Sequence, residues 1–276
     1  MAHECQAHDV FDAGSRAHAP RLADTGASQK VRAKALVIAF VHVLAAAPFP
    51  ARGLYLPGFS PIEYQAGDLV ELKVNKLTSV KTQLPFSYYT LPYCKPEKVV
   101  TGVGNLGEAL TGDVIENSPY VIKMRVNESC HELCTVALDE TNKATFRSMI
   151  EDSYVANWIV DNLPAATRYR DPKGVRRYMD GFPVGVAQYG RYYINNHVLL
   201  DIQYNSNPEN HEGFRVVGFE VEPWSTSGED YAAACKNDAP AFDLDANNAI
   251  IYTYTVRWTY SPIRWASRWD AYLKMS

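Results

Sequence analysis

The sequence has 276 residues, with 27 Lys and Arg against 31 Asp and Glu and a formal net charge of −4. A protein that binds nucleic acid needs a surplus of clustered basic residues to neutralise phosphates, so this composition argues against a nucleic-acid partner. The length is enough for one large domain or at most two.

The first feature along the chain is an apolar run from Ala35 to Ala47, preceded by Lys30, Arg32 and Lys34. It is shorter than the roughly 20 apolar residues that a membrane-spanning helix needs. A basic flank, a short apolar core and small residues after it are typical of a secretory signal peptide. A buried core helix is the alternative for an apolar run of this length.

Signal cleavage would remove Cys5 and leave an even number of cysteines. In an oxidising compartment these would form two disulfides, although the sequence does not select their connectivity. The alternative is a metal site at Cys130-His131-Glu132-Leu133-Cys134, but structural zinc needs four converging ligands. We predict no metal and no cofactor. The disulfide candidates are Cys94, Cys130, Cys134 and Cys235.

A single N-x-S/T acceptor occurs in the sequence, at Asn127-Glu128-Ser129. Such a sequence is glycosylated when it lies on the surface of a secreted or lumenal domain. Asn127 is therefore the N-glycosylation candidate.

Most of the chain after the apolar run has the two-residue alternation of half-buried strands. Val70, Leu72 and Val74 alternate with polar residues, and Val184 to Ile194 is a candidate hairpin about Gly190. Many short strands separated by turn residues predict a mainly β domain, a β-sandwich or jelly-roll-like barrel with one or two short helices. The clearest strand face consists of Ile250, Tyr252, Tyr254, Val256 and Trp258.

Three segments depart from this alternation. Asp139 can cap a helix whose buried face includes Phe146 and Met149. The proline-rich segment from Leu84 to Pro96 favours an irregular edge, which a disulfide at Cys94 could pin. We predict a solvated basic loop for the third segment, Thr167 to Asp180, with an anion-binding patch as the alternative.

The segment Gly102 to Gly107 matches the pattern G-x-G-x-x-G. A dinucleotide site needs a helix of several turns after these glycines. Only four residues follow before the turn pair Gly112-Asp113. The pattern therefore favours a turn and loop over a nucleotide site.

Two further functions remain as alternatives. A secreted hydrolase could use Asp161, Glu220 and Glu222 as acid and base, since the two glutamates share one strand face about 7 Å apart by the strand rise. A sugar-binding module would instead need exposed aromatic platforms. The aromatic candidates are Tyr88, Tyr89 and Trp224.

Near the end of the chain, Trp265, Trp269 and Tyr272 fall at i, i+4 and i+7, beside Arg264 and Arg268. On an α-helix they would form one aromatic stripe. The stripe could pack on the sandwich, but aromatic and basic residues are also typical of a membrane interface.

A series of short segments, taken in order from Leu54 to the C-terminus, resembles the lumenal N-terminal domain of the nonaspanins, the transmembrane nine superfamily. The segments are Leu54 to Gly58, Leu69 to Leu84, Asn105 to Glu108, Ser118 to Tyr120, Asn157-Trp158, Asp161 to Pro164, Gly181 to Gly185, Asn195 to His197, Val216 to Val221 and Arg268 to Leu273. This resemblance makes Gly102 to Gly107 a family loop.

The resemblance implies a multispanning membrane protein of the Golgi and endosomes that sorts other membrane proteins. The expected partners are then membrane-protein cargo and the membrane, through spans that this sequence does not contain. Together with the absence of an assembled catalytic motif, it predicts a non-catalytic domain for which no small-molecule substrate is identified. Trp265, Trp269 and Tyr272 are predicted to be membrane-proximal. The predicted organisation is a disordered segment over 1–34, a signal core and cleavage region over 35–51, a lumenal β-rich domain over 52–262 and a juxtamembrane amphipathic segment over 263–276.

Overall fold

The computed structural model describes residues 60–102, 114–170, 173–207, 212–236 and 238–274. They belong to Tyr55–Ser276, one of two units into which the chain divides. The predicted disordered segment and the predicted signal peptide lie outside the described residues, as does most of the predicted glycine loop.

The described part of the chain is mainly β, as the sequence predicts. Its helices are α1 (Glu140–Glu151) and α2 (Tyr231–Ala234), with 3₁₀ helices at Tyr88–Thr90 and Trp265–Lys274. The strands are β1 (Leu72–Thr78), β2 (Phe86–Ser87), β3 (Thr101–Gly102), β4 (Ile115–Asn117), β5 (Glu128–Ala137), β6 (Val155–Val160), β7 (Leu163–Pro164), β8 (Ala166–Arg170), β9 (Arg176–Asp180), β10 (Phe182–Pro183), β11 (Gly185–Gln188), β12 (Arg191–Ile194), β13 (His197–Asn205), β14 (Arg215–Trp224) and β15 (Ala249–Tyr260).

Two sheets carry most of these strands. The first has the order β10-β6-β1-β4-β3, with β2 paired to β1 and β7 paired to β6. The second has the order β5-β15-β13-β14-β8-β9, and β11 and β12 form a separate hairpin. Within the second sheet, β13 pairs with β15 and β14 with β8 in the parallel sense. Parallel neighbours need long connections, and strand alternation alone does not predict them.

Both sheets contribute to one core, in which Tyr120 lies between Trp158 of β6 and Tyr254 of β15. Its ring centroid is 4.9 Å from that of Trp158 and 5.1 Å from that of Tyr254. The face predicted for the last strand is confirmed, because Ile250 through Trp258 are buried at every second position. Burial of this face against the first sheet holds the two layers together.

The segment Leu84 to Pro96 is irregular, as predicted, yet it contributes two buried tyrosines to the core. Tyr88 stacks on Tyr93 with ring centroids 4.4 Å apart, and Tyr93 packs against Tyr252 at 5.6 Å. Burial raises the pKa of both Tyr88 and Tyr93. The segment is therefore held by aromatic packing together with one short strand, β2, which pairs with β1.

The predicted helix begins after Asp139, whose carboxylate accepts a hydrogen bond from the Asn142 backbone N–H at 2.7 Å. This bond satisfies one of the free N–H groups in the first turn of α1. Phe146 and Met149 are buried on its inner face. The helix prediction is confirmed in both its cap and its buried face.

The prediction of a solvated loop at Thr167 to Asp180 is wrong. This segment forms the antiparallel pair β8 and β9 at the edge of the second sheet. Charged side chains are common on edge strands, where they oppose pairing with other chains. The basic residues that suggested a loop are thus compatible with a strand at this position.

Two tight hairpins depend on left-handed backbone conformations. Asp161 (φ 47°) and Asn162 (φ 61°) join β6 to β7, and Tyr189 (φ 53°) and Gly190 (φ 75°) join β11 to β12. Two-residue hairpin turns of this kind need positive φ at both positions, which Asn, Asp and Gly adopt most readily. The predicted hairpin about Gly190 is confirmed.

The four cysteine candidates form two disulfides, Cys94–Cys134 and Cys130–Cys235, with Cα atoms 5.9 Å and 5.8 Å apart. Their partners are separated by 40 and 105 residues in the sequence. In the chain-entropy model such loops contribute about 4 and about 5 kcal/mol to stability. Both bridges start from β5, so this strand is fixed at two points.

Candidate functional site

The carboxylates of Glu220 and Glu222, which the sequence suggested as an acid pair, meet at one arginine. Arg168 of β8 places Nη2 3.1 Å from Glu220 Oε2 and 3.3 Å from Glu222 Oε1. Burial raises the pKa of Glu220, while the charge of Arg168 lowers it and that of Asp201 raises it. The two glutamates are therefore part of an ion-pair cluster.

The cluster continues to the neighbouring strands. Asp201 of β13 accepts a bond of 2.7 Å from Arg257 and one of 3.2 Å from the Thr259 hydroxyl. The third predicted acid, Asp161, contacts Arg268 instead, so the structure does not join it to Glu220 and Glu222. This face of the second sheet is thus lined by carboxylates whose counter-ions are arginines of the same domain.

The end of the chain is attached to the domain through Arg268, which is only 3% exposed. Its Nη1 donates to Asp161 Oδ2 at 2.8 Å and to the Val216 carbonyl at 3.0 Å. Its guanidinium lies 4.4 Å from the ring centroid of Trp265. Burial raises the pKa of Asp161, while the charge of Arg268 and the hydrogen bond from it lower that pKa.

The predicted aromatic stripe takes a different form because the segment is a 3₁₀ helix. With about three residues per turn, Arg268 rather than Trp269 lies next to Trp265. The Tyr272 hydroxyl accepts from the Phe219 N–H at 3.3 Å and can donate to the carbonyl of the same residue at 3.4 Å. Trp269 remains 43% exposed. The segment therefore has one face on the domain and one indole directed outward.

A groove of about 550 Å³ lies between α2 and the adjoining ends of β13 and β14. Trp224, which is 47% exposed, forms part of its wall. The indole stacks on the ring of His197 with centroids 5.5 Å apart and planes inclined by 12°. His197 Nδ1 lies 2.8 Å from the Thr253 hydroxyl, and burial lowers the pKa of this histidine to about 4.

Of the three aromatic candidates, Trp224 is the one that is exposed, at 47%. Tyr88 is buried in the core, and Tyr89 is half-buried with its hydroxyl donating to the Asn117 carbonyl at 2.8 Å. The stacking of Trp224 on His197 was not predicted. The alternation along β13 predicts a buried face that begins at Val198, but it does not reveal what lies across the sheet from His197.

Asn127 lies on the surface, one residue before β5. Its side-chain oxygen accepts a 2.7 Å hydrogen bond from the backbone N–H of Trp258. Cys130 and Cys134 are in different disulfides and are therefore not thiolate ligands. Within the described ranges, no three His, Cys, Asp or Glu residues are grouped so as to hold a metal ion.

A family model described as endomembrane protein 70 matches residues 85–276. The chain belongs to the endomembrane protein 70 family. It is 41% identical over 248 residues to transmembrane 9 superfamily member 10 of Arabidopsis thaliana, covering 81% of this chain and 39% of the relative. It is 36% identical over 250 residues to transmembrane 9 superfamily member 4 of Homo sapiens, covering 80% of this chain and 39% of the relative.

These names confirm the resemblance to the transmembrane nine superfamily, and the family description supports an endomembrane location. The chain spans about two fifths of the length of these relatives. No solved structure matches it. Among the residues for which a conformation is described, no helix has both the length and the apolar character of a membrane span.

We expect the Arg268 ion pair to be required for stability. Replacing Arg268 with Ala leaves the Asp161 carboxylate buried without its partner, which should lower the free energy of unfolding by about 3–5 kcal/mol. The exposed neighbour Arg264 is the matched control. Arg264→Ala should change the free energy of unfolding by less than about 0.5 kcal/mol. Urea denaturation of the full chain measures the free energy of unfolding of both variants. Equal losses in the two variants would contradict a stabilising role for the Arg268 ion pair.

The lowered pKa of His197 predicts a loss of stability in acid. Its folded-state pKa of about 4 lies below the ordinary value of 6.5, so the unfolded chain binds this proton first as the pH falls. The stabilisation is complete above about pH 6.5 and is lost progressively between about pH 6.5 and 4. By about pH 5 the free energy of unfolding has fallen by about 2 kcal/mol.

In the variant His197→Gln this part of the pH dependence should disappear. Denaturation of wild type and variant at about pH 7.5 and about pH 5 measures the effect. The stability difference between the two proteins should shrink on acidification. A constant difference would show that His197 does not titrate as its burial requires.

Proposed function

We propose that this chain is the lumenal, non-catalytic part of a Golgi and endosomal membrane protein that takes part in sorting other membrane proteins. The observation that carries the proposal is the family match over residues 85–276. Sorting as the task, membrane proteins as the cargo, and the Golgi and endosomes as the location are the parts that go beyond the family description.

Two features favour the lumenal side of the membrane. Disulfides persist in oxidising compartments and are rare in the cytosol, and the described domain has two of them. The acceptor Asn127 is exposed, as oligosaccharide transfer requires. Both features have the same explanation if the domain enters the secretory pathway through the predicted signal peptide.

The ion-pair cluster favours a non-catalytic domain over the hydrolase. An acid and base pair needs one protonated carboxyl and one charged carboxylate directed at the substrate. Arg168 contacts both Glu220 and Glu222, and its charge acts to lower the pKa of Glu220. Burial of Glu220 acts in the opposite direction and is the larger effect, so its pKa is raised, a feature that it shares with a catalytic acid.

The attachment of the last described segment suggests how the domain would sit beside the membrane. In the proposal, Trp265, Trp269 and Tyr272 are membrane-proximal. The contacts of Arg268 with Asp161 and Val216 hold this segment on the domain. The domain would then contact cargo in a fixed orientation and would not move on a flexible linker.

Lumenal placement predicts a glycan at Asn127. When the gene is expressed in a eukaryotic cell, treatment with an N-glycosidase should lower the apparent mass of the product. Ser129→Ala should abolish this shift because it removes the acceptor while keeping Asn127, and Ser129→Thr should retain it. An unshifted wild-type protein with freely alkylated cysteines would place the domain outside the lumen.

The sorting role predicts that disruption of the gene lowers the surface fraction of a set of membrane proteins, as measured by surface biotinylation. The full-length gene should restore that fraction. The double variant Glu220→Gln/Glu222→Gln should restore it equally well, because no acid-base step is involved. A surface proteome that is unchanged by disruption would contradict sorting.

The same experiment separates sorting from hydrolysis. If the double variant reaches the same cellular level as wild type but fails to restore the surface fraction, the carboxylates have a chemical task and the hydrolase is favoured. Protease resistance of the variant distinguishes this result from misfolding.

A further inference from the structure

The indole of Trp224 is held rigidly at the surface. One side of the ring stacks on the imidazole of His197, which is only 4% exposed and hydrogen-bonded to Thr253. The exposed ring of Trp224 therefore has little freedom to rotate. A fixed aromatic face loses less conformational entropy on binding than a mobile one.

The wall of the groove opposite the sheet is also fixed. Cys235, one residue beyond α2, lines the groove and is bonded to Cys130 of β5. The Asp230 carboxylate caps α2 by accepting a 2.8 Å bond from the Ala233 N–H. Both sides of the groove are thus attached to the second sheet, and the space between them is formed before any ligand arrives.

The polar groups of the groove are neutral or positive. Thr226 is 8% exposed, and within the described residues its hydroxyl has no hydrogen-bond partner. Asn195 donates through Nδ2 to the Pro183 carbonyl, and Lys236 is exposed at the rim. None of the described lining residues is acidic. Such a groove suits a ligand rich in hydroxyl groups better than a cation.

We propose that this groove binds a sugar ring of a saccharide, with Trp224 as the stacking platform. A pyranose has an apolar face of C–H groups and a rim of hydroxyls, which matches an aromatic face bordered by amide, hydroxyl and ammonium groups. The groove volume of about 550 Å³ lies within the range of small-molecule sites. The site is separate from the Arg168 cluster and does not depend on the sorting role.

The test uses the full chain secreted from eukaryotic cells, with methyl mannoside, galactose, N-acetylglucosamine and N-acetylneuraminic acid as probes. Saturation-transfer NMR detects millimolar binding, and titration gives the dissociation constant. At least one probe should bind the wild type. Trp224→Ala should weaken that binding about tenfold, corresponding to about 1.4 kcal/mol.

Trp269→Ala is the matched control, since Trp269 has nearly the same exposure (43%) but does not line this groove. It should leave the dissociation constant unchanged. Trp224→Tyr retains an aromatic face and should bind within about threefold of wild type, which keeps the test valid if the alanine variant does not fold. The proposal is overturned if no probe binds the wild type, or if Trp224→Ala binds as tightly as wild type.

Discussion

The described domain depends most on how one edge strand, β5, is held. No residue of β5 is fully buried, and its apolar contact with the core is limited to the partly buried Leu133, Cys134 and Val136. Two disulfides leave it, one to Cys94 and one to Cys235. The first fixes the irregular segment that carries Tyr88 and Tyr93 into the core, and the second fixes the wall of the Trp224 groove. Covalent bonds thus add to the partial burial and the pairing with β15 that hold this edge strand.

The buried pair of Arg268 and Asp161 holds the C-terminal 3₁₀ helix in a similar way. Removing two charges from water is costly, and their attraction offsets that cost only when geometry and further hydrogen bonds are favourable. Here the Val216 carbonyl and the ring of Trp265 supply the additional contacts. Because Asp161 lies in a tight turn between β6 and β7, the ion pair links the first sheet to the C-terminal 3₁₀ helix.

Strand β14 carries two polar features of different character. Glu220 and Glu222 lie along it and share one counter-ion, Arg168. Trp224, at the end of the same strand, has one face on His197 and is otherwise largely open. Side chains already engaged in ion pairs offer less to a ligand than an exposed aromatic face beside a preformed groove.

The sequence alone determined the β-rich class, the cap and inner face of α1, the hairpin about Gly190 and the buried face of β15, because each follows from local chemistry or two-residue alternation. It also supported the family, through short segments spread along the chain. Tertiary structure alone decided the pairing of the cysteines, the parallel neighbours of β13 and β14, the strands at Thr167 to Asp180, and the partners of Arg268 and Trp224. In the β8 and β9 hairpin the basic residues obscured the strand pattern, whereas each of the others joins residues far apart in the sequence. Their contacts depend on which strands become neighbours, and no local pattern encodes that arrangement.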